Sequence, residues 1–279
     1  MPANPEFATR LNFIRGRIHG ASVSPFQKLP MRIIRGRLGK RKLLSNPGLT
    51  TRPITDRVKE SLFEFLEDDL VDARIVDIFA GTGTLGLEGL SRQGHSVVFI
   101  ERDRLAVELL KKNIEHLKVQ DEALCWANDV ERTSFRPKNC DDFLPYDVCF
   151  FDPPYKLVPK IRDGAKLYKS LQRLARDGVT REGSLLLFRT PRESEFELPP
   201  EWEFERKTEY ATMEVHWFRR RPSELIELEE PATGTAATET PGTETPGTET
   251  AATEMPGTET PDSEGPAGEV SAAEPDSTS

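Results

Sequence analysis

Short apolar runs alternate with amphipathic segments through the middle of the chain. The strand candidates are RIVDIF (74–79), SVVFIE (96–101), EALCWA (122–127), YDVCFF (146–151) and SLLLFR (184–189). Between them lie segments with apolar residues near helical spacing, namely AGTGTLGLEGLSRQG, RLAVELLKKNIEHL and AKLYKSLQRLA. Strands that alternate with helices form parallel sheets covered on both faces. The pattern therefore predicts an α/β domain with a mostly parallel sheet.

The segments that flank this alternation have different patterns. WEFERKTEY and TMEVHWFRR are joined closely enough to form an antiparallel hairpin at one edge of the sheet. Before the first strand, MRIIRGRLGKRKLL (31–44) combines β-branched residues, arginines and glycines, which indicates a short basic hairpin. TRPITDRVKESLFEFL then predicts a helix that begins near Thr55. In the helix of residues 104–117, we expect Leu105, Leu109, Ile114 and Leu117 to lie near one buried face.

Composition separates an acidic C-terminal tail from a basic remainder. Residues 223–279 hold 14 acids and no Lys or Arg, and five copies of a five-residue period lie between Thr238 and Asp262. We interpret this tail as disordered. Subtracting its acids from the total of 47 leaves 33 acids against 38 bases in residues 1–222, a net charge of +5 where the whole chain has −9. Residues 1–60, with 13 bases and three acids, suit a polyanionic partner.

The remaining composition defines the class of protein and its domain bounds. Three cysteines without C-x-x-C spacing favour a reducing cytoplasm, and the four histidines are too scattered to predict a metal site. No apolar run approaches the roughly 20 residues of a membrane helix.

We interpret residues 1–30 as a flexible arm or as sequence ahead of a true start at Met31. The predicted domain covers 31–222, with the hairpin and entry helix in 31–66 and the core in 74–220.

A glycine turn after the first strand indicates a nucleotide-like ligand. Gly81, Gly83 and Gly86 satisfy G-x-G-x-x-G, and Glu101 lies 20 residues beyond Gly81. The glycines let a ligand approach the bare backbone at a helix N-terminus, and the acid can accept hydrogen bonds from ribose hydroxyls. Both NAD and S-adenosylmethionine meet these two conditions.

Two further acids favour S-adenosylmethionine over NAD. Asp77 lies in strand one, where a carboxylate can hold an ammonium group, and Asp129 follows strand three, where it can bind the adenine amine. Caps of a turn and of a helix are the alternative roles of these two residues. With Glu101 they form a cup at the carboxyl ends of three strands, where ligands of open α/β sheets bind.

The sequence FDPPYK places an acid, two prolines and an aromatic ring at the end of the fourth core strand. The ordinary interpretation is a helix N-cap, with Pro153 as the first helical residue. Alternatively, the prolines make a stiff tip with acceptors and few donors. Methylation of an exocyclic amine needs acceptors, because positive charge grows on the nitrogen. The carboxylate of Asp152 and the carbonyl of Pro153 would stabilise that charge, and Tyr155 would stack on the base.

Four motifs in order carry a family resemblance over about 31–220. RIIRGRLGKRKL, RPITDRVKESLF, DIFAGTGTLGLEGLSRQG and FFDPPY resemble the RsmD family of ribosomal RNA guanine-N2 methyltransferases, which are class I S-adenosylmethionine-dependent enzymes. The chain departs from the family at Arg35, where a glycine is usual. The resemblance implies a Rossmann-like, seven-stranded, mostly parallel sheet with an antiparallel edge hairpin, and S-adenosylmethionine as the cofactor. It implies a cofactor site of Asp77, Phe79, Ala80, Gly81, Thr82, Gly83, Glu101 and Asp129, and a catalytic tip of Asp152, Pro153, Pro154 and Tyr155.

The expected substrate is one guanine N2 of small-subunit ribosomal RNA, within an assembled or assembling subunit. We expect a monomer that acts in the cytoplasm without a membrane or a metal. A DNA adenine-N6 or cytosine-N4 methyltransferase is an alternative, because the chemistry is the same, although about 190 patterned residues leave little room for a domain that reads DNA. An inactive RNA-binding module is another alternative. The predicted phosphate contacts are Arg32, Arg35, Arg37, Lys40, Arg41, Lys42, Arg52 and Arg57.

Overall fold

Seven strands form one sheet in the computed structural model, which describes residues 31–45 and 54–224. In chain order they are β1 (Arg74–Ile78), β2 (Ser96–Glu101), β3 (Ala123–Ala127), β4 (Tyr146–Phe151), β5 (Thr180–Pro191), β6 (Trp202–Glu209) and β7 (Met213–Arg220). Their order across the sheet is β3-β2-β1-β4-β5-β7-β6. Strands β1 to β5 are parallel, and β7 is antiparallel to both β5 and β6. The predicted seven-stranded Rossmann-like sheet with an antiparallel edge hairpin is confirmed.

Three parts of the predicted organisation lie outside the described residues. These are the arm of residues 1–30, the acidic tail beyond residue 224 and the predicted phosphate contact Arg52. Within the described residues, none of the helices is both long and apolar enough to cross a bilayer.

Within residues 31–45 and 54–224, four α-helices cover the sheet, and two of them begin at side-chain caps. They are α1 (Asp56–Phe65), α2 (Thr84–Ser91), α3 (Arg104–Leu117) and α4 (Lys166–Leu174). Thr55 accepts from the amide of Val58, which confirms the predicted start of α1, and Asp103 accepts from the amide of Ala106 at the start of α3. Helices α1, α2 and α3 pack on one face of the sheet and α4 packs on the other.

Both faces of the central strands are buried, which explains their uninterrupted apolar runs. In β1, Ile75 joins the core beneath α1, α2 and α3, whereas Val76 joins the core beneath α4. Successive side chains of a strand point to opposite faces of the sheet. A strand between two layers of helices therefore needs apolar residues at every position, odd and even alike.

The expected buried face of α3 was partly wrong. Leu105 is 47% exposed, and the buried stripe instead contains Ala106, Val107 and Leu110, followed by Ile114 and Leu117. This stripe follows the 3.6-residue period and faces the sheet, and Leu105 lies one position outside it.

The basic segment before α1 forms the predicted short hairpin, here called the basic hairpin (residues 31–44). Arg32 and Lys42 form an antiparallel bridge, and Ile33, Leu38 and Leu43 are buried against the core. The hairpin therefore belongs to the packed domain and shares its hydrophobic core.

The turn of the basic hairpin lies at the amino edge of the sheet. Its Arg37 amide donates to the carbonyl of Ser91, the last residue of α2, at 2.9 Å. Gly36 has a φ of +84°, and a Cβ on it would lie 1.8 Å from the Ser91 oxygen, so the close contact requires glycine. Because α2 runs from the carboxyl ends of the strands to their amino ends, this eight-residue helix, about 12 Å long, separates the hairpin turn from the glycine turn at the opposite edge.

Candidate active site

The predicted site residues meet at the carboxyl edge of the sheet. Asp77 lies in β1, the glycine turn follows β1, Glu101 ends β2, Asp129 follows β3 and Asp152 follows β4. Parallel strands bring these ends to one edge, where open α/β sheets bind their ligands.

The glycine turn brings open backbone to this edge. Phe79, Gly81 and Gly83 all have positive φ angles, of 64°, 56° and 83°. A Cβ on Gly83 would lie 2.5 Å from a methyl carbon of Leu110, so glycine is required there for packing. A Cβ on Gly81 would meet no atom within 4 Å. Gly81 therefore faces the free space where a ligand would lie against the backbone.

The Glu101 carboxylate connects the end of β2 to the glycine turn. One oxygen accepts from the amide of Gly81 at 2.8 Å, and the other accepts from the amides of Arg102 and Asp103, each at 2.8 Å. A carboxylate offers about four acceptor sites. The group can therefore accept hydrogen bonds from ribose hydroxyls while it fixes the turn.

The Asp77 carboxylate caps the helix that follows the glycine turn. It is 1% exposed and accepts from the amide of Gly86 at 2.8 Å. Burial raises the pKa of Asp77 to about 8, with smaller contributions from Asp152 and Glu101, although the Gly86 hydrogen bond and Arg189 oppose the shift. The turn-capping alternative is thus what the structure shows. Contact with an ammonium group stays a prediction.

Asp129 lies at the same edge in a local turn. Its Oδ1 accepts from the amide of Glu131 at 3.0 Å, and its Oδ2 lies 3.4 Å from a guanidinium nitrogen of Arg102. The side chain is 32% exposed, so it is accessible to a ligand. Its contact with adenine also stays a prediction.

The tip after β4 is rigid and partly buried. The Asp152 amide donates to the carbonyl of Ile78 at 3.2 Å, which continues the pairing of β4 with β1. Pro154 then caps a 3₁₀-helix, Tyr155–Lys160, that the sequence analysis did not predict. Val158 within this helix and Ile161 directly after it are fully buried, and they anchor the helix to the core. The N-cap interpretation of Asp152 is therefore wrong, because this helix begins two residues later, at Tyr155, and no side chain caps it.

An arginine missed by the sequence analysis contacts the tip. Nε of Arg189, near the end of β5, lies 2.6 Å from Oδ1 of Asp152. Burial raises the pKa of Asp152, and the charge and hydrogen bond of Arg189 oppose that shift. The available signal was a charged residue at the end of the apolar run SLLLFR.

The predicted phosphate contacts fall into two groups. Members of the first group form ion pairs with acids of the protein: Arg32 with Asp56, Arg35 with Glu60, and Arg37 with Glu122. The Arg37–Glu122 pair holds the hairpin turn at the amino edge. The other described members of the set are exposed, and they are Lys40, Arg41, Lys42 and Arg57. Contact of either group with RNA stays a prediction.

Two exposed lysines lie beside the tip that follows β4. Lys156 and Lys160 belong to the 3₁₀-helix that follows Pro154. Within residues 31–45 and 54–224, no carboxylate lies within 4.0 Å of either ammonium group. Their charge is thus available at the carboxyl edge, and neither lysine belongs to the predicted set of phosphate contacts.

Comparison with known proteins places this chain in a family. A family profile described as Conserved hypothetical protein 95 matches residues 31–219. The chain belongs to the RsmD family of methyltransferases. The resemblance indicated by the four motifs is thereby confirmed.

Relatives and solved structures of the RsmD family agree with this result. The chain is 41% identical over 138 residues to a Haemophilus influenzae protein named ribosomal RNA small subunit methyltransferase D, a match that covers 47% of this chain and 67% of the relative. The Escherichia coli protein of the same name is 41% identical over 128 residues, covering 45% of this chain and 61% of the relative. The solved structure of a candidate methyltransferase from Escherichia coli is similar, with a TM-score of 0.56 and 32% identity. That match covers 68% of this chain and 97% of the other.

Proposed function

We propose that this protein transfers a methyl group from S-adenosylmethionine to the exocyclic N2 of a guanine in small-subunit ribosomal RNA. The observation that carries the proposal is the position of the Asp152 carboxylate at the same sheet edge as the glycine turn, Glu101 and Asp129. Names of the relatives support ribosomal RNA as the substrate class. We further infer that the protein acts as a monomer in the cytoplasm, on an assembled or assembling small subunit.

The residues at the edge fit the proposed cofactor. Open space at Gly81 admits a ligand against the backbone, and the carboxylates of Glu101 and Asp129 are acceptors for ribose hydroxyls and an adenine amine. When bound, the cofactor supplies an electrophilic methyl group on a sulfonium. The arrival of an ammonium group would oppose the raised pKa of Asp77, because a nearby cation favours the carboxylate.

The tip fits the proposed acceptor. Asp152 and the carbonyl of Pro153 accept from the N–H bonds of the target amine and align its lone pair with the methyl group. The bound cofactor would supply the methyl carbon to the nitrogen lone pair and keep the electrons of the carbon–sulfur bond, and the proton that the nitrogen gives up would pass to solvent water. Tyr155 offers a ring on which a base that has left its helix or loop can stack.

Transfer of a labelled methyl group tests the proposal at the level of the substrate. Small ribosomal subunits that lack the modification, bare ribosomal RNA and duplex DNA are incubated with labelled cofactor and either wild-type protein or Asp152→Ala. We expect label in the subunits with wild type, and a loss of at least about a hundredfold with Asp152→Ala.

Matched controls separate chemistry from folding and binding. Asp163→Ala removes an exposed carboxylate a few residues beyond the tip and is expected to leave transfer unchanged. Cofactor affinity of Asp152→Ala, measured by calorimetry, shows whether the cup is intact. Label that enters only DNA would favour the DNA methyltransferase alternative, whereas cofactor binding without transfer to any substrate would favour the inactive module.

A further inference from the structure

Pairing of two core strands brings a buried arginine to the catalytic tip. Phe188 of β5 is the partner of Phe151 in β4, so the next residues, Arg189 and Asp152, lie side by side. Their Nε–Oδ1 distance is 2.6 Å, and their side chains are only 11% and 18% exposed. The contact is therefore determined by the register of the sheet, unlike an ion pair between two mobile surface side chains.

Two further residues, Tyr155 and Met213, contact the guanidinium group of Arg189. Its Cζ lies 5.9 Å from the centre of the Tyr155 ring, and Nη1 lies 4.0 Å from the sulfur of Met213. Arg189 engages Oδ1 of Asp152, and within the described ranges no protein donor lies within hydrogen-bond distance of Oδ2. The ion pair thus fixes one oxygen and leaves the other for a donor on a substrate.

Arg189 also opposes the accumulation of negative charge at this edge. Asp77, Glu101 and Asp152 bring three carboxyl groups together, and Asp152 and Glu101 both raise the pKa of Asp77. Burial raises the pKa of Asp152 as well, and Arg189 lowers the pKa of both Asp77 and Asp152. Removal of this cation would raise the pKa of Asp152 further and so favour its protonated form.

We propose that Arg189 is a positioning residue, which keeps the Asp152 carboxylate ionised and turned so that its Oδ2 accepts from the target amine. The substrate in this statement rests on the proposed function, whereas the effect of Arg189 on Asp152 does not. A protonated acid would direct a donor at the amine, which itself needs an acceptor. The ion pair therefore preserves the acceptor that the methyl transfer requires.

The opposite role makes a different prediction. Arg189 could instead inhibit the reaction, by occupying Asp152 until RNA arrives. A cation beside the reacting nitrogen also disfavours the positive charge that develops there, which would slow methyl transfer. Replacing such a blocking arginine would increase methyl transfer at every pH. Replacing a positioning arginine would decrease it, most strongly at low pH.

The pH dependence of methyl transfer distinguishes these roles. Rates at saturating cofactor and RNA are measured from about pH 6 to pH 9 for wild type, Arg189→Ala and Arg189→Lys. We expect Arg189→Ala to lose about tenfold or more at the acidic end and to recover as the pH rises, because an adjacent cation lowers the pKa of an Asp by roughly one unit or more. Arg189→Lys should retain much of the wild-type profile. Arg192→Ala is the matched control, since Arg192 is 46% exposed and pairs with Glu209 instead.

A titration without substrate tests the inference independently of the proposed function. The ¹³C shift of the Asp152 carboxyl, identified by its loss in Asp152→Asn, is followed against pH in wild type and Arg189→Ala. A higher midpoint in Arg189→Ala is expected. Equal midpoints, or an Arg189→Ala variant as active as wild type at every pH, would overturn the inference. If wild type methylates no RNA, the proposed function fails, and the titration still decides the effect of Arg189 on Asp152.

Discussion

Replacement of Glu88 by Ala tests how strongly the basic hairpin is tied to the helix after the glycine turn. Glu88 lies in α2 and its side chain is fully buried. One oxygen accepts from the amide of Ile34 at 2.7 Å and from Nζ of Lys59 at 3.3 Å. The other accepts from the amide of Arg35 at 3.1 Å and from Nε of Arg92 at 2.8 Å. One carboxylate thus connects α2, α1 and the hairpin backbone.

The expected loss follows from what Glu88→Ala leaves behind. Lys59 is 1% exposed, and its ammonium group would retain only the carbonyl of Arg32, at 2.5 Å, among its described contacts. Burial lowers the pKa of Lys59, and the charge of Glu88 opposes that shift. Removal of one partner of a buried ion pair costs about 3–5 kcal/mol. The freed hairpin amides are only partly buried and can reach water, so we expect a total of about 4 kcal/mol.

Urea unfolding of the full chain measures this loss by linear extrapolation. Glu60→Ala is the matched control, because Glu60 is 41% exposed and its pair with Arg35 should contribute at most about 1 kcal/mol. Adding Lys59→Met to Glu88→Ala should recover part of the loss, since no buried charge then lacks a partner. A loss for Glu88→Ala no greater than that of Glu60→Ala would refute the reasoning.

The site makes three further predictions. Gly86→Ala should cost about 1–3 kcal/mol in thermal unfolding, because the new Cβ would lie 2.5 Å from the ring of Phe99. Gly81→Ala meets no atom within 4 Å, so we expect it to weaken cofactor binding in calorimetry and to cost only about 1–2 kcal/mol of stability for its left-handed φ. Replacing Lys156 and Lys160 together by Ala should weaken RNA binding and lower the salt slope by about one to two units, measured by filter binding at several salt concentrations.

A different result would contradict each of these three predictions. Unchanged cofactor affinity in Gly81→Ala would remove that turn from the cofactor site, and a fully stable Gly86→Ala would contradict the tight packing of α2 on β2. For RNA binding, the double variant of Arg41 and Lys42 is the comparison. A salt slope altered only by that hairpin pair would show that the lysines beside the tip make no phosphate contacts.

Strand positions were predictable because burial on both faces imposes a composition that few other elements share. SVVFIE and YDVCFF coincide with β2 and β4 to the residue. The apolar spacing likewise predicted α3 over residues 104–117. It did not identify the buried face of α3 correctly, because Leu105 extends the apolar stripe in the sequence but points to solvent. Local patterns define elements better than they define the direction of each side chain.

Contacts between distant segments were not predictable from the sequence. Arg189 meets Asp152 only because β4 and β5 are neighbours in a particular register, and Glu88 meets Ile34 only because the hairpin lies against α2. The orientation of the hairpin has the same origin, since its charges alone do not indicate that Arg37 lies at the amino edge. Motifs located the acids and glycines of the cup, whereas the partners of those acids depended on the packing of the fold.

The identity of the methylated nucleoside tests the central claim most directly. Small ribosomal subunits that lack the modification are labelled with wild-type protein and with Asp152→Ala, and their RNA is digested to nucleosides and analysed by mass spectrometry. The account predicts one labelled product, N2-methylguanosine, with wild type and none with Asp152→Ala. Label in N6-methyladenosine or N4-methylcytidine, or an equal yield of N2-methylguanosine from Asp152→Ala, would contradict it.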